Sequence, residues 1–171
     1  MITKKVEETI NKQINAELWS AYLYLSMSSY FSSIGLSGFA NWMRIQWQEE
    51  VAHALKFFDY LTERGGKPSL AAIADVPQKW NGALEAFEEV LKHEQHVTAL
   101  INNLMDVAIE EKDHATKSML QWFVDEQVEE EANAQAIIDN LRLIGGKGEG
   151  MLLLDRELKL RVFVDPTAGK V

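Results

Sequence analysis

Cysteine is absent from this sequence of 171 residues. That excludes disulfides, thiolate metal sites and cysteine nucleophiles, and it is compatible with a reducing cytoplasm, the expected location. Proline is scarce, occurring only at Pro68, Pro77 and Pro166, and the long stretches before and between the first two are rich in helix formers. No apolar run approaches the roughly 20 residues needed to span a bilayer. The opening Met1-Ile2-Thr3-Lys4-Lys5 leads straight into an amphipathic pattern without an apolar signal core. Basic residues are in deficit, and the formal net charge of −9 argues against a general nucleic-acid binder, because phosphate contact takes clustered Lys and Arg. An acidic balance suits cation handling. The length fits one domain, residues 1–171, with one sizeable core.

What is present is helical periodicity. Apolar spacing and end signals predict four long helices. The first runs from about Thr3 to Ser33 and stops at Ile34-Gly35. The second starts after Ser37 as N-cap and ends at Gly65-Gly66. The third starts after Asn81, another good cap, and runs to about Glu110; the fourth runs from near Asp113 to Gly145-Gly146. A glycine-rich linker, Gly145 to Gly148, sets off a short fifth helix over about 149–160. Tight turns make the first and second helices antiparallel neighbours, and likewise the third and fourth. Between these hairpins lies a connection of about fifteen residues, from Gly66 to Trp80. It is long enough to cross the bundle and start the third helix at the opposite end. The predicted fold is all-α, an antiparallel four-helix bundle with one long crossover and a short C-terminal helix.

Each long helix has an inward stripe at steps of three and four. The stripes are Ile10, Ile14, Glu17, Ala21, Tyr24, Ser28, Phe31; then Phe39, Met43, Gln46, Glu50, His53, Phe57, Tyr60; then Phe87, Leu91, Glu94, Thr98, Ile101, Met105, Ala108; and Leu120, Phe123, Gln127, Glu130, Ala134, Ile137, Leu141. All four are apolar at the ends and polar near the middle. Glu17 and Glu50 are equidistant from the first turn, and Glu94 and Gln127 from the second, with 33 residues between the members of each pair. The chain therefore reads as two copies of one hairpin, each with a Glu on its first helix and an i, i+3 pair on its second. Those pairs, Glu50-x-x-His53 and Gln127-x-x-Glu130, share a helical face. Four carboxylates meeting in a core would each cost several kcal/mol in desolvation, and no Lys or Arg lies on the stripes. Two divalent cations balance Glu17, Glu50, Glu94 and Glu130, with His53 and Gln127 completing a mixed oxygen and nitrogen set that suits Fe, Mn and, less selectively, Zn.

The sequence resembles the prokaryotic non-haem ferritins over essentially its whole length. The resemblance rests on Asn15-Ala16-Glu17-Leu18, Gln48-Glu49-Glu50-Val51-Ala52-His53-Ala54, Asp59-Tyr60-Leu61, Phe123-Val124-Asp125-Glu126-Gln127-Val128-Glu129-Glu130-Glu131 and Asp155-Arg156-Glu157-Leu158. It implies a ferritin-like fold, iron storage and detoxification, and oxidation of Fe(II) to Fe(III) by O2 or H2O2 at a di-iron ferroxidase centre within each subunit. The matching positions imply one iron on Glu17, Glu50 and His53, and a second on Glu94 and Glu130 with Glu50 bridging and Gln127 close by. They also imply a third, weaker iron site from Glu49, Glu126, Glu129 and Glu130. Tyr24 matches a tyrosine beside the di-iron site, where it is either an electron donor or a core residue with a satisfied hydroxyl. The resemblance further implies a homo-oligomeric hollow shell of twenty-four subunits, with the fifth helix at the four-fold axis, and neither a nucleic-acid nor a membrane partner.

Haem is not expected, because Val51 stands where bacterioferritins have a haem-ligating Met. The alternative function is a di-iron peroxidase or oxidase of the same superfamily that retains no mineral. A structural bundle without metal is the blander reading. At the positions where animal ferritins line an iron pore with acids, this chain has Lys117 and Leu120, which leaves the admission route open. His93 and His96 flank Glu94 off the stripe and are expected on the surface. Trp122 is expected to serve packing, with an electron-donor role as the alternative. His114 is either structural or pore-lining.

Overall fold

Residues 2–168 are described by the computed structural model; Met1 and residues 169–171 of the expected 1–171 domain lie outside the described residues. Among the described residues five helices follow in order: α1 over Lys4–Ser33, α2 over Ser37–Glu63, α3 over Ala83–Glu110, α4 over His114–Ile144 and α5 over Gly148–Leu158. No strand occurs among the described residues. No helix among them is long and apolar enough to cross a membrane.

The helix ends follow local chemistry. Thr3 caps α1 by accepting from Val6 N, and Asp113 caps α4 by accepting from Thr116 N, satisfying amides that lack an intrahelical partner. Gly145 ends α4 in the left-handed conformation at φ 64°, which favours glycine. Two expected caps are corrected. Ser37 is the first residue of α2 rather than its cap, and Gly82 rather than Asn81 precedes α3. The α2 amides find a remote acceptor instead: Asp155 Oδ1, on α5, takes hydrogen bonds from Gly38 N at 2.7 Å and Phe39 N at 3.1 Å.

The crossover has the predicted route. It runs along the outer face of α1, parallel to that helix, held at helical intervals. Glu7 accepts from Lys67 N, Asn11 bonds Lys67 O and Ser69 N, Asn15 donates to Ala71 O and Ala72 O, Trp19 donates to Asp75 O, and Ser26 donates to Pro77 O. It delivers Gly82 to the hydroxyl of Tyr30 at the far end of α1. Arg64, just past α2, grips the Asp113 carboxylate through both nitrogens, at 3.0 and 3.1 Å, joining the two hairpins.

The core falls into two apolar clusters. One gathers Tyr24, Met27, Phe31, Phe39, Met43 and Phe87 at the α5 end. The other gathers Ile10, Ile14, Phe57, Ile101, Leu104, Leu120 and Phe123 at the opposite end. Polar side chains occupy the layer between them.

Candidate metal centre

Glu17 from α1, Glu50 and His53 from α2, Glu94 from α3, and Gln127 and Glu130 from α4 converge in that middle layer, each at most 7% exposed. Packing on either side turns these positions inward, because each is in phase with the apolar stripe above and below it. Glu17, Glu50 and His53 each offer a ligand atom, all within 4.8 Å of one another. No other group of three or more such ligands closes to that distance among the described residues. Glu94 and Glu130 are instead held by neighbours. Glu94 accepts from the Tyr24 hydroxyl and, at 3.2 Å, from Gln127 Nε2, and Glu130 accepts from Gln46 Nε2 at 2.8 Å.

Two carboxylate oxygens and one imidazole nitrogen in this layer are buried without a hydrogen bond, Glu17 Oε2, Glu50 Oε2 and His53 Nε2, as is the Gln46 amide oxygen. His53 Nδ1 approaches Glu50 Oε2 at 3.5 Å, too long a contact to count as a good hydrogen bond. Buried polar atoms are rarely left unpaired, and two carboxylates and an imidazole with ligand atoms within 4.8 Å of one another have the chemistry of a cation site. No Lys or Arg is buried among the described residues.

The electrostatics follow. Burial pushes the pKa of Glu17 well above the usual carboxylate range, with Glu50's charge adding to it. Glu50 is likewise well raised, first by burial, then by the charges of Glu94 and Glu130. Glu130 is raised to about 8 by burial and Glu94. Glu94 is raised by burial, against which the Tyr24 and Gln127 hydrogen bonds act. The Tyr24 phenol is raised well above its ordinary value by burial and the adjoining carboxylates. Without cations these acids are all shifted towards their neutral forms.

The four acids implied for a third site are placed unevenly. Glu130 is buried, Glu49 and Glu126 are half-buried and Glu129 is exposed. Glu49 Oε2 accepts from Arg161 Nη2 at 2.6 Å. Tyr24 is fully buried and bonded to Glu94. Trp122 packs against His53, ring centroids 5.5 Å apart, with Lys56 Nζ 4.5 Å from its own ring centre.

His96 is exposed as expected, but His93 is not a surface residue. It is half-buried between α1 and α3, its Nε2 2.7 Å from Ser20 Oγ and its ring 5.2 Å from Trp19. Burial, with His96 adding to it, lowers its pKa to about 4. Leu120 is wholly inside the core and so lines no channel, whereas Lys117 and His114 are exposed.

Sequence reasoning missed Gln13, whose Nε2 donates to Glu17 Oε1 at 2.8 Å. The signal was its position one turn before Glu17. Gln46 and Thr98 were on the stripes without a role; Thr98 Oγ1 lies 3.3 Å from Gln127 Nε2.

A profile of the Ferritin-like domain matches residues 7–144. Among curated proteins, the chain is 48% identical over 161 residues to the bacterial non-heme ferritin of Bacteroides fragilis strain 638R, covering 94% of this chain and 100% of that protein. It is 39% identical over 158 residues to the bacterial non-heme ferritin of Escherichia coli O6:H1, covering 92% and 96%. Among solved structures, an open pore ferritin from the hyperthermophilic archaeon Archaeoglobus fulgidus superposes with a TM-score of 0.94 at 56% identity, covering 95% of this chain and 100% of that one.

Proposed function

The chain belongs to the ferritin family, and from that premise we propose how its own residues handle iron. It is an iron-storage protein and a ferroxidase. Fe(II) is the substrate, and the middle layer of the bundle is where two Fe(II) ions are oxidised. Glu17, Glu50 and His53 hold one ion; Glu94 and Glu130 hold the other, with Glu50 shared and Gln127 beside it. The observation that carries this assignment is the convergence of Glu17, Glu50 and His53, each with a ligand atom within 4.8 Å of the others and each with a buried side-chain atom that has no hydrogen bond, in a layer where no described Lys or Arg is buried.

The protein's part is protonic and positional. Acids shifted towards their neutral forms in the empty layer release protons as cations arrive, because the cation stabilises the carboxylate. Gln13 and Gln46 hold one oxygen of Glu17 and of Glu130, leaving the other oxygen of each for metal. Tyr24 and Gln127 hold Glu94 by one bond to each oxygen, leaving a lone pair on each for the second ion. Two Fe(II) ions lose one electron each, and O2 or H2O2 accepts the pair, so that no one-electron oxygen radical need be released. The Tyr24 phenol, bonded to Glu94, is placed to supply a further electron; Trp122, cushioned by Lys56, serves packing.

Glu49, Glu126, Glu129 and Glu130 form a third, weaker cation site on α2 and α4. Product iron is retained as mineral within a hollow shell of twenty-four chains in the cytoplasm.

Aerobic addition of Fe(II) to the purified protein tests the assignment. Glu17→Ala, Glu50→Ala and His53→Ala should each slow rapid oxidation by at least about a hundredfold, since loss of even an outer partner of a ligand costs 10- to 100-fold. Unchanged rates in all three sink the site assignment. Oxidation with iron retained in a large soluble particle is the storage outcome; oxidation followed by precipitation would indicate a peroxidase or oxidase that stores nothing.

A further inference from the structure

Past α5 the chain turns back and lies across α2. Asn41 Nδ2 holds its backbone, donating to the carbonyls of Leu158, Lys159 and Arg161 at 3.3, 3.4 and 2.9 Å. The Arg161 guanidinium then stacks 4.7 Å from the centre of the Trp42 ring and donates Nη2 to Glu49 Oε2 at 2.6 Å. Both side chains are largely withdrawn from water, at 24% and 14% exposure. Glu49 also stands within electrostatic reach of His53 and Glu126. It adjoins Glu50 in sequence.

A guanidinium and a divalent cation compete for such a carboxylate. Bringing a second positive charge to Glu49 sets it a few ångströms from Arg161, where repulsion in a half-buried setting is costly. Lysine or histidine could relieve that repulsion by losing a proton, but arginine cannot. The repulsion is relieved when the guanidinium moves. Asn41 keeps hold of the backbone by a separate set of bonds, so the side chain can swing away while the segment stays docked.

We propose that Arg161 is a displaceable counter-ion that gates cation binding at Glu49: it sets the threshold for the third ion, and the third ion in turn frees Arg161. The inference rests on the reading of Glu49 as a ligand of the third site. Reciprocity is required by linkage, because each partner weakens the other by the same factor. Arg161 is thus a positioning residue, acting on metal through Glu49.

Zn(II), which is redox-silent and diamagnetic, serves as the probe on the assembled protein. In calorimetric titration, Arg161→Gln should tighten the third and weakest ion by about tenfold, the scale of one charge-assisted hydrogen bond. Arg161→Lys should give a smaller gain, and it stands in if the Gln variant fails to assemble. Asn41→Ala loosens the backbone, including the Arg161 carbonyl, but keeps both ion-pair partners, and should change third-ion affinity less than Arg161→Gln does.

Unchanged third-ion affinity in both Arg161 variants, or an equal gain in Asn41→Ala, overturns the proposal and leaves the ion pair a mere fastening. Glu49→Gln separates the two readings. If it fails to weaken the third ion, the third-site reading itself is lost, and the gate with it. If it weakens that ion while the Arg161 variants change nothing, the site stands and only the gate is gone.

Discussion

Burial and the charges of Glu94 and Glu130 together oppose ionisation of Glu50, which is 2% exposed beside Glu17 and His53. An acid whose folded pKa lies above its unfolded value stabilises the fold while protonated, and that stability is lost as pH rises through the folded value. Glu130, with a folded value of about 8 against an ordinary 4.5, therefore favours the metal-free fold fully below about pH 4.5 and loses that contribution progressively towards pH 8. Glu17, Glu50 and Glu94 are shifted in the same direction. The melting temperature of metal-free protein should fall between pH 5 and 8, and Glu130→Gln, which cannot ionise, should flatten the slope. Metal-loaded protein should show little of it. Calorimetric melting across that range checks the point, and a metal-free protein that gains stability with rising pH would refute it. These acids were legible as residues because each interrupts an apolar stripe. Their hydrogen-bonding partners were less so: Gln13 is one polar residue among many on α1, and its place one turn before Glu17 is a faint signal until its bond to that acid is seen.

At the scale of elements, α5 completes α2. The amides of Gly38 and Phe39 have no cap of their own chain segment, and Asp155 supplies the acceptor from 117 and 116 residues away. Asp155→Ala should cost about 1–2 kcal/mol, the usual worth of a helix cap, with the loss read from denaturant unfolding. Gly38 permits the approach: a Cβ there would fall 1.6 Å from the Asp155 carbonyl oxygen, an overlap that would push α5 away. Gly38→Ala should therefore destabilise at least as much as Asp155→Ala, and a neutral result would mean α5 docks elsewhere. Helix number, order and approximate ends were readable because periodicity, glycines and the Thr3 and Asp113 caps are local signals. The α2 start was misassigned to a Ser37 cap because its true acceptor is remote in sequence, and no local pattern marks such a partner.

For the whole molecule, the isolated chain leaves apolar surface uncovered near its C-terminus. Leu152 and Leu153 are 53% and 64% exposed, and Leu160, Val162 and Val164 more so. Neighbouring subunits of a shell would cover such surface. Native mass should be about twenty-four times the 19.4 kDa of one chain, and Leu153→Arg should shift the population to smaller species without unfolding the helices. A variant that assembles normally would place the contact elsewhere. The sequence by itself determined the helices, their hairpin pairing and the four glutamates of the middle layer, because an acid repeated in phase with a buried stripe has nowhere to point but inward. It also determined the path of the crossover, whose length admits few routes. Tertiary structure alone decided which oxygens are already spoken for. Gln46 takes one of Glu130, Tyr24 and Gln127 take those of Glu94, and Arg161 reaches over 112 residues of chain to take one of Glu49. Such pairings depend on which side chains meet across helices within about 3 Å, a distance that periodicity along one chain does not encode.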